Sequence, residues 1–553
     1  MRTTIALALL TIIACGSDDG GGQVEGVGSE APCERACDGA REVCERVEDD
    51  EACVCAAGYS GEPCEWGTVP ADPSFNATEA WTAEAGVTVL PAAEGVDSGV
   101  AQIDGFGLCN GAMIGTTVDM PGADTGDQFV AEIRFRSIVT GGMVIYAGRA
   151  RHPVQSVGTA SWLTERVCLG TAAFGSAGRT RGGPVEFRIG VSRVPPDCDP
   201  ESARSVEIDR FQILVAEPGE CPTVGTVANG NAEPEGGGWQ FLLDAADGGA
   251  GAELADEIGR DGTGGARIYK DQPQTPGFAK MGTRISVPLP NAAGAGPALR
   301  FWWRQTGFTA FANLGWTAPL AIEVSAALST LGRFDESREG VASYCLPPWT
   351  HGAVVPLWFQ PATDGFEGEL VVDEVEITLD PRCGDSADLL DPGLDSAPNL
   401  WPGSHWQGLL EVDPGVEIVT GRGRGEPPGG ALLFRYDSGN PRLLFRSMVW
   451  VPEGSGERGP QLVFYSNVVL PAPEGTGIRT DVAINRTAIG ENLPVGVGWS
   501  RNTYCLPSGW SGRWLPFQIV LENREVGTFD LVEPTRELLF DDFELTTSTA
   551  CAN

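Results

Sequence analysis

The feature that most constrains this chain is a strand-like segment written three times, each copy followed by a cysteine. Val206-Glu-Ile-Asp209-Arg-Phe-Gln-Ile213, Leu370-Val-Val-Asp373-Glu-Val-Glu-Ile377 and Leu539-Phe-Asp541-Asp-Phe-Glu-Leu545 each alternate apolar and polar residues. That alternation is the period-2 signature of a strand with one buried face. The cysteines that follow, Cys221, Cys383 and Cys551, are spaced by 162 and 168 residues, so the repeat is domain-sized and not a solenoid turn. Other landmarks recur in the same order. Each copy opens ahead of a tryptophan: Asp72 to Phe75 before Trp81, Asn229 to Glu233 before Trp239, Asp391 to Asp395 before Trp406. A middle strand follows at Ile133 to Arg136, Leu299 to Trp303 and Leu443 to Arg446, then a cysteine turn at Cys168, Tyr344-Cys345-Leu346-Pro347 and Tyr504-Cys505-Leu506-Pro507.

Helix signals are sparse, and 75 glycines and 40 prolines punctuate many short alternating runs. The expected fold class is all-β: tandem β-sandwich (jelly-roll) domains at 68–222, 223–384 and 385–553, preceded by a small disulfide-rich module. The repeat also orders the cysteines. The equivalent pairs Cys168–Cys221, Cys345–Cys383 and Cys505–Cys551 tie each unit's penultimate region to its end, which leaves Cys109 and Cys198 of the first unit to pair with each other. Each such closure contributes about 3–5 kcal/mol through the unfolded chain.

The N-terminus reads as an address. Arg2 precedes the apolar stretch Ile5 to Ile13, too short to span a bilayer, and then Ala14-Cys15. The segment resembles a bacterial lipobox, which implies a lipoprotein signal peptide at 1–14, lipidation of Cys15 and a flexible tether at 15–30. An ordinary signal peptide with an incidental cysteine is the alternative. Fifteen cysteines minus one for lipid leave fourteen, an even number suited to bridges in an oxidising compartment. The expected location is secreted and lipid-anchored to a bacterial membrane, at the outer membrane or cell surface.

Six cysteines crowd into 32 residues: Cys33, Cys37, Cys44, Cys53, Cys55 and Cys64. So short a segment cannot bury enough apolar surface to fold without cross-links, and its spacing suits tetrahedral metal poorly. The run Cys53-Val-Cys55-Ala-Ala-Gly58-Tyr59-Ser-Gly61-Glu-Pro-Cys64 resembles the C-terminal signature of EGF-like domains. The resemblance implies an EGF-like domain at 31–67 with pairings Cys33–Cys44, Cys37–Cys53 and Cys55–Cys64, acting as a spacer or protein-contact unit.

The larger units, with Asn229 to Glu233 before Trp239 and Phe540-Asp541-Asp542-Phe543-Glu544-Leu545 at the close, resemble the galactose-binding-like jelly rolls of carbohydrate-binding modules of families 4 and 9. The resemblance implies glycans as the leading ligand class. It also implies a structural calcium held between the opening acidic residue and the closing aspartate, here Glu233 with Asp373 and Asp395 with Asp541. A solvated edge carboxylate is the competing account of those four positions.

A net charge of −38 disfavours nucleic acid and anionic lipid as partners, leaving the membrane to the lipid anchor alone and the binding partners to be glycans or surface proteins. Catalysis wants a converging set of groups. No nucleophile elbow, zinc-binding His-Glu-x-x-His or phosphate-binding glycine loop occurs, and the three histidines lie far apart. No enzyme and no cofactor beyond a structural calcium is expected. For sugar binding, an exposed aromatic platform is needed. Trp349 and Trp510, just past the Tyr-Cys-Leu-Pro turns, are the candidates, whereas Trp302, Trp303, Trp358 and Trp514 lie in or beside strands and suit the core. The resulting expectation is a non-catalytic surface binding or adhesion lipoprotein. A structural or protein-contact array without sugar affinity is the rival, and a secreted hydrolase a second alternative.

Overall fold

The computed structural model describes residues 42–47, 50–55, 73–76, 78–92, 98–120, 128–137, 143–154, 159–170, 183–191, 201, 205–243, 250–270, 279–307, 310–314, 329–334, 338–346, 348–361, 367–383, 407–408, 416–425, 428, 430–436, 442–470, 478–484, 487–490, 498–523 and 536–552. Two compact units divide the chain at Val54/Cys55. The backbone around that boundary forms an antiparallel hairpin of β1 (Glu42–Val47) and β2 (Asp50–Cys55). The expected EGF-like bridges, the signal peptide and Cys15 lie outside the residues whose side chains are described.

Among the described residues from Cys55 onward, the alternating runs form thirty strands in three sets of ten. The first set is β3 (Thr82–Ala83), β4 (Val87–Leu90), β5 (Val100–Ile103), β6 (Met113–Met120), β7 (Phe129–Ser137), β8 (Met143–Ala147), β9 (Ala150–Val154), β10 (Thr159–Leu169), β11 (Gly183–Val191) and β12 (Val206–Val215). The second is β13 (Gln240–Leu243), β14 (Ala250–Ala255), β15 (Gly265–Lys270), β16 (Ala279–Ser286), β17 (Gly296–Thr306), β18 (Ala310–Leu314), β19 (Ser329–Phe334), β20 (Arg338–Cys345), β21 (Val354–Pro361) and β22 (Gly368–Asp380). The third is β23 (Gln407–Gly408), β24 (Val416–Thr420), β25 (Gly430–Tyr436), β26 (Arg442–Val451), β27 (Gly459–Leu470), β28 (Ile478–Ile484), β29 (Thr487–Gly490), β30 (Trp499–Cys505), β31 (Arg513–Asn523) and β32 (Arg536–Ser548).

Each set makes two five-stranded antiparallel sheets with one order. One sheet runs β4-β5-β12-β7-β10, β14-β15-β22-β17-β20 and β24-β25-β32-β27-β30. Its partner runs β3-β6-β11-β8-β9, β13-β16-β21-β18-β19 and β23-β26-β31-β28-β29. The chain is thus an array of three jelly-roll sandwiches, with one short helix among the described residues, α1 (Gly105–Asn110), capped by Asp104 and ended by Gly111 in the left-handed region. No helix among the described residues is long and apolar enough to cross a membrane.

The sequence alignment of the middle strand needs one correction. Leu443 to Arg446 is not the counterpart of Leu299 to Trp303: it sits in β26, which pairs with β31 in the other sheet. The counterpart is β27, whose Leu462-Val463-Phe464-Tyr465 pairs with the closing strand β32 as β17 pairs with β22. Both segments carry apolar residues beside a polar one, and only the pairing partner tells them apart.

The sandwiches are filled from the strand faces that alternation points inward. Leu299 and Phe301 lie in the second core, Leu462 and Phe464 in the third, Ile133 and Phe135 in the first. Cys168–Cys221, Cys345–Cys383 and Cys505–Cys551 are bonded at equivalent places. Gly296 and Gly459 let the second and third of these close, since a Cβ there would stand 1.9 Å from the Cys383 carbonyl oxygen and 1.8 Å from that of Cys551. Cys109 is also disulfide-bonded, while Cys198 lies outside the described residues.

Candidate functional site

The two tryptophans expected to form a sugar platform do not. Trp349 and Trp510 sit in short 3₁₀ turns, Pro348–Thr350 and Ser508–Trp510, as the loop reading requires. Their rings nevertheless turn inward, 0% and 6% exposed. The Leu346 and Leu506 N–H groups donate to the Pro297 and Pro460 carbonyls, pinning both turns against the middle strands so that the indoles point into the cores. Neither ring can stack on a ligand.

Trp349 belongs to a joint between all three sandwiches. The β8–β9 hairpin of the first sandwich is buried along both strands, and only its tip, Gly148-Arg149, is exposed. The Arg149 guanidinium lies 4.5 Å from the Trp450 ring centroid and 6.0 Å from that of Trp514, both in the third sandwich. Arg151 stands 5.3 Å from the Trp349 ring of the second. The Trp514 indole N–H donates to the Arg149 carbonyl at 2.9 Å, and the Tyr146 hydroxyl donates to the Trp514 carbonyl at 3.2 Å. Arg513 bonds the Gly111 carbonyl and the Glu84 carboxylate, and Arg188 bonds the Gly512 carbonyl. His152, fully buried, accepts the Gly170 N–H at Nε2, and burial pushes its pKa down to about 4. On another side Val354 of the second sandwich packs against the Cys168–Cys221 bridge of the first. These contacts make the three copies one packed body.

The positions proposed for calcium divide in the same way. Asp373 is buried, and its oxygens already accept from the Arg260 N–H at 2.9 Å, the Thr263 hydroxyl at 2.8 Å and the Glu374 N–H at 2.6 Å. Asp541 repeats this with the Arg424 N–H at 2.5 Å and the Asp542 N–H at 2.7 Å. Calcium wants six to eight oxygen ligands, whereas these carboxylates face hydrogen-bond donors, so the set does not fit the ion. Their role is to tie the 260–264 and 421–425 loops to the closing-strand bulge, where Glu374 and Asp542 both have φ of 50°. Glu233 is exposed nearby, and Asp395 lies outside the described residues; among those residues no group of three or more His, Cys, Asp or Glu converges. Among the described residues Asp209, the first-sandwich counterpart, makes no such loop bonds. It pairs with Arg134 at 3.1 Å, one oxygen is buried with no partner among the described residues, and burial raises its pKa against the pull of that arginine.

What the fold does gather is an aromatic face on the outside of the sheet that holds the closing strand. In β17 alternation sends Leu299 and Phe301 inward and Arg300, Trp302 and Arg304 to the opposite face, where the Trp302 ring is itself covered, 7% exposed. Pairing with the closing strands then makes Arg134, Trp302 and Tyr465 equivalent, each beside the bulged aspartate. On the next strand Thr164, Val341 and Arg501 oppose these three. One step along, Arg136, Arg304 and Asn467 are equivalent, with Glu339 opposite Arg304 and Trp499 opposite Asn467. In the first sandwich the half-buried Trp162 lies near Arg136 and Arg134, at 4.9 and 5.4 Å. Residue types are shuffled among copies, yet each face carries an aromatic ring, a guanidinium and carboxylates: Arg136–Glu207 at 2.5 Å, Arg304–Glu369 at 3.5 Å, Arg424–Asp542 at 2.6 Å. In the third sandwich this face holds a depression of about 370 Å³ around Tyr465, Arg501 and Glu544.

Sequence reasoning missed this face although one signal was present. Adjacent tryptophans in a strand cannot share a face, so one of Trp302 and Trp303 had to lie on the outer face; Trp302 does, and its ring is nevertheless buried, as expected of it.

No protein-family model and no curated protein matches the chain. Among solved structures it is similar to the N-terminal tandem CBM22 modules of Paenibacillus barcinonensis Xyn10C, at 12% identity over 59% of this chain and 99% of that one, TM-score 0.19. It is similar to the enzymatically active domain of tailspike protein 4 of bacteriophage CBA120 at 16% identity, TM-score 0.21, over 28% of this chain and only 21% of that one. A CBM4 structure aligns at 16% identity over 27% of this chain and 96% of that one, TM-score 0.17. TM-scores of this size carry no argument, and the fold class rests on the thrice-repeated strand order.

Proposed function

We propose that this chain is a non-catalytic glycan-binding protein displayed at a bacterial surface, with adhesion as its role. In this reading Cys15 carries the lipid anchor, 31–67 is an EGF-like spacer, and the three sandwiches face outward. The observation that carries it is the recurrence, on equivalent faces of the first and third sandwiches, of half-buried aromatic rings, Trp162 and Tyr465, beside arginine and carboxylate. Apolar ring faces take the C–H face of a sugar, and the flanking charges hydrogen-bond its hydroxyls.

The test is a glycan-array screen of the delipidated chain, followed by titration of any hit against single variants. Trp162→Ala and Tyr465→Ala are each expected to weaken binding about tenfold, roughly 1.4 kcal/mol. Silence across the array overturns the reading. Burial of Trp349 and Trp510 favours a second reading, a protein-contact array without sugar affinity, which the same silence would support. Mass spectrometry of the intact chain tests the anchor: diacylglycerol on Cys15 and no free thiol is the expected result.

A further inference from the structure

We propose that the third sandwich is specialised for a saccharide ring bearing a carboxylate, on an otherwise neutral oligosaccharide, with Arg501 as the group that recognises it. This inference rests on the glycan-binding reading above and adds the ligand's charge to it. The starting point is register. Arg501 occupies the position held by Thr164 in the first sandwich and Val341 in the second, directly across from the central face residue. Only the third copy therefore places a cation at this spot. Arg501 is exposed and has no acidic partner among the described residues, in a chain that carries 75 acidic side chains against 37 basic ones.

The neighbouring arginine is spoken for. Arg424 bonds Asp542 at 2.6 Å, and its guanidinium carbon stands 3.7 Å from the Tyr465 ring centroid, covering one face of the phenol. Arg501 is thus the free fork in the depression of about 370 Å³ that Arg424, Tyr465, Asp542 and Glu544 also line. A guanidinium presents paired donors that match a carboxylate bidentately. Asp542 and Glu544 offer acceptors for sugar hydroxyls, and their charge, with the net −38 of the chain, works against a densely anionic polymer. A mostly neutral chain with an isolated uronate satisfies both conditions. The second sandwich, with Val341 at 45% exposure in the same place, has no group to reward the charge.

The test is calorimetric titration of the delipidated full chain with a neutral tetrasaccharide carrying one glucuronate, and with the same compound after carboxyl reduction. The uronate form is expected to bind tighter by about tenfold or more, the size of one charge-assisted hydrogen bond, and that advantage should shrink at high salt. Arg501→Ala should abolish the advantage, so that the uronate compound binds no tighter than its reduced form, while Arg501→Lys should keep part of it. Equal affinity for the two compounds, with both weakened by Tyr465→Ala, overturns this inference and leaves the glycan reading standing. A uronate preference that survives Arg501→Ala also overturns it. Binding of neither compound, with a silent array, overturns both.

Discussion

Arginine beside an aromatic ring occurs in two settings in this molecule, and burial of the ring separates them. At the joint, Arg151 is 2% exposed beside a fully buried Trp349, and His152 is excluded from water altogether. On the outer faces, Arg134 and Arg424 keep 39% and 43% of their side chains exposed while lying over the half-buried rings of Trp162 and Tyr465. The first setting removes rings from water and locks sandwiches together; the second leaves ring and charge within reach of solvent. A cation–π contact by itself therefore says nothing about function. Its exposure does.

The largest effect that would sharpen this contrast is Trp349→Ala, expected to cost about 3–5 kcal/mol, because the ring is wholly buried where two sandwiches meet. Chemical denaturation measures it, and a loss below about 1 kcal/mol would break the claim that the joint is a packed core. Next is pH. Burial holds His152 near a pKa of about 4, against an ordinary 6.5, so the unfolded chain takes up the proton first. The contribution is fully present above about pH 6.5 and is lost as pH falls through 4, on the order of 3 kcal/mol. His152→Gln should lack that component when denaturation midpoints at pH 7 and pH 4 are compared with those of the unaltered chain. Arg149→Ala, at the hairpin tip between Trp450 and Trp514, should cost about 1–2 kcal/mol, read by the same unfolding measurement. Smallest is Arg501→Ala, within about 0.5 kcal/mol for stability, since it is exposed and unpaired. A large stability loss there would place it with the joint and not with the binding face.

Much of the architecture was legible because local rules and global fold agree. The alternation in Val206 to Ile213, Leu370 to Ile377 and Leu539 to Leu545 reports strands wherever they pair, and the spacing of Cys221, Cys383 and Cys551 predicts three bridges that the structure contains. The candidate site was far less legible. Trp349 and Trp510 follow turn signals, and turn signals say where the chain bends but not which way a ring points. Asp373 and Asp541 look like calcium ligands in a linear pattern, yet the donors that occupy them come from residues 110–117 positions away. Leu443 to Arg446 matched the wrong strand because pattern carries no pairing partner.

The sequence by itself determined the repeat, its all-β character and the bridge that closes each copy, because periodicity and cysteine spacing are properties of neighbours along the chain. Tertiary structure alone decided that the β8–β9 hairpin joins the copies into one body, and which aromatics face water. Those outcomes depend on strand register and on what lies across the interface, and residues hundreds of positions apart set them.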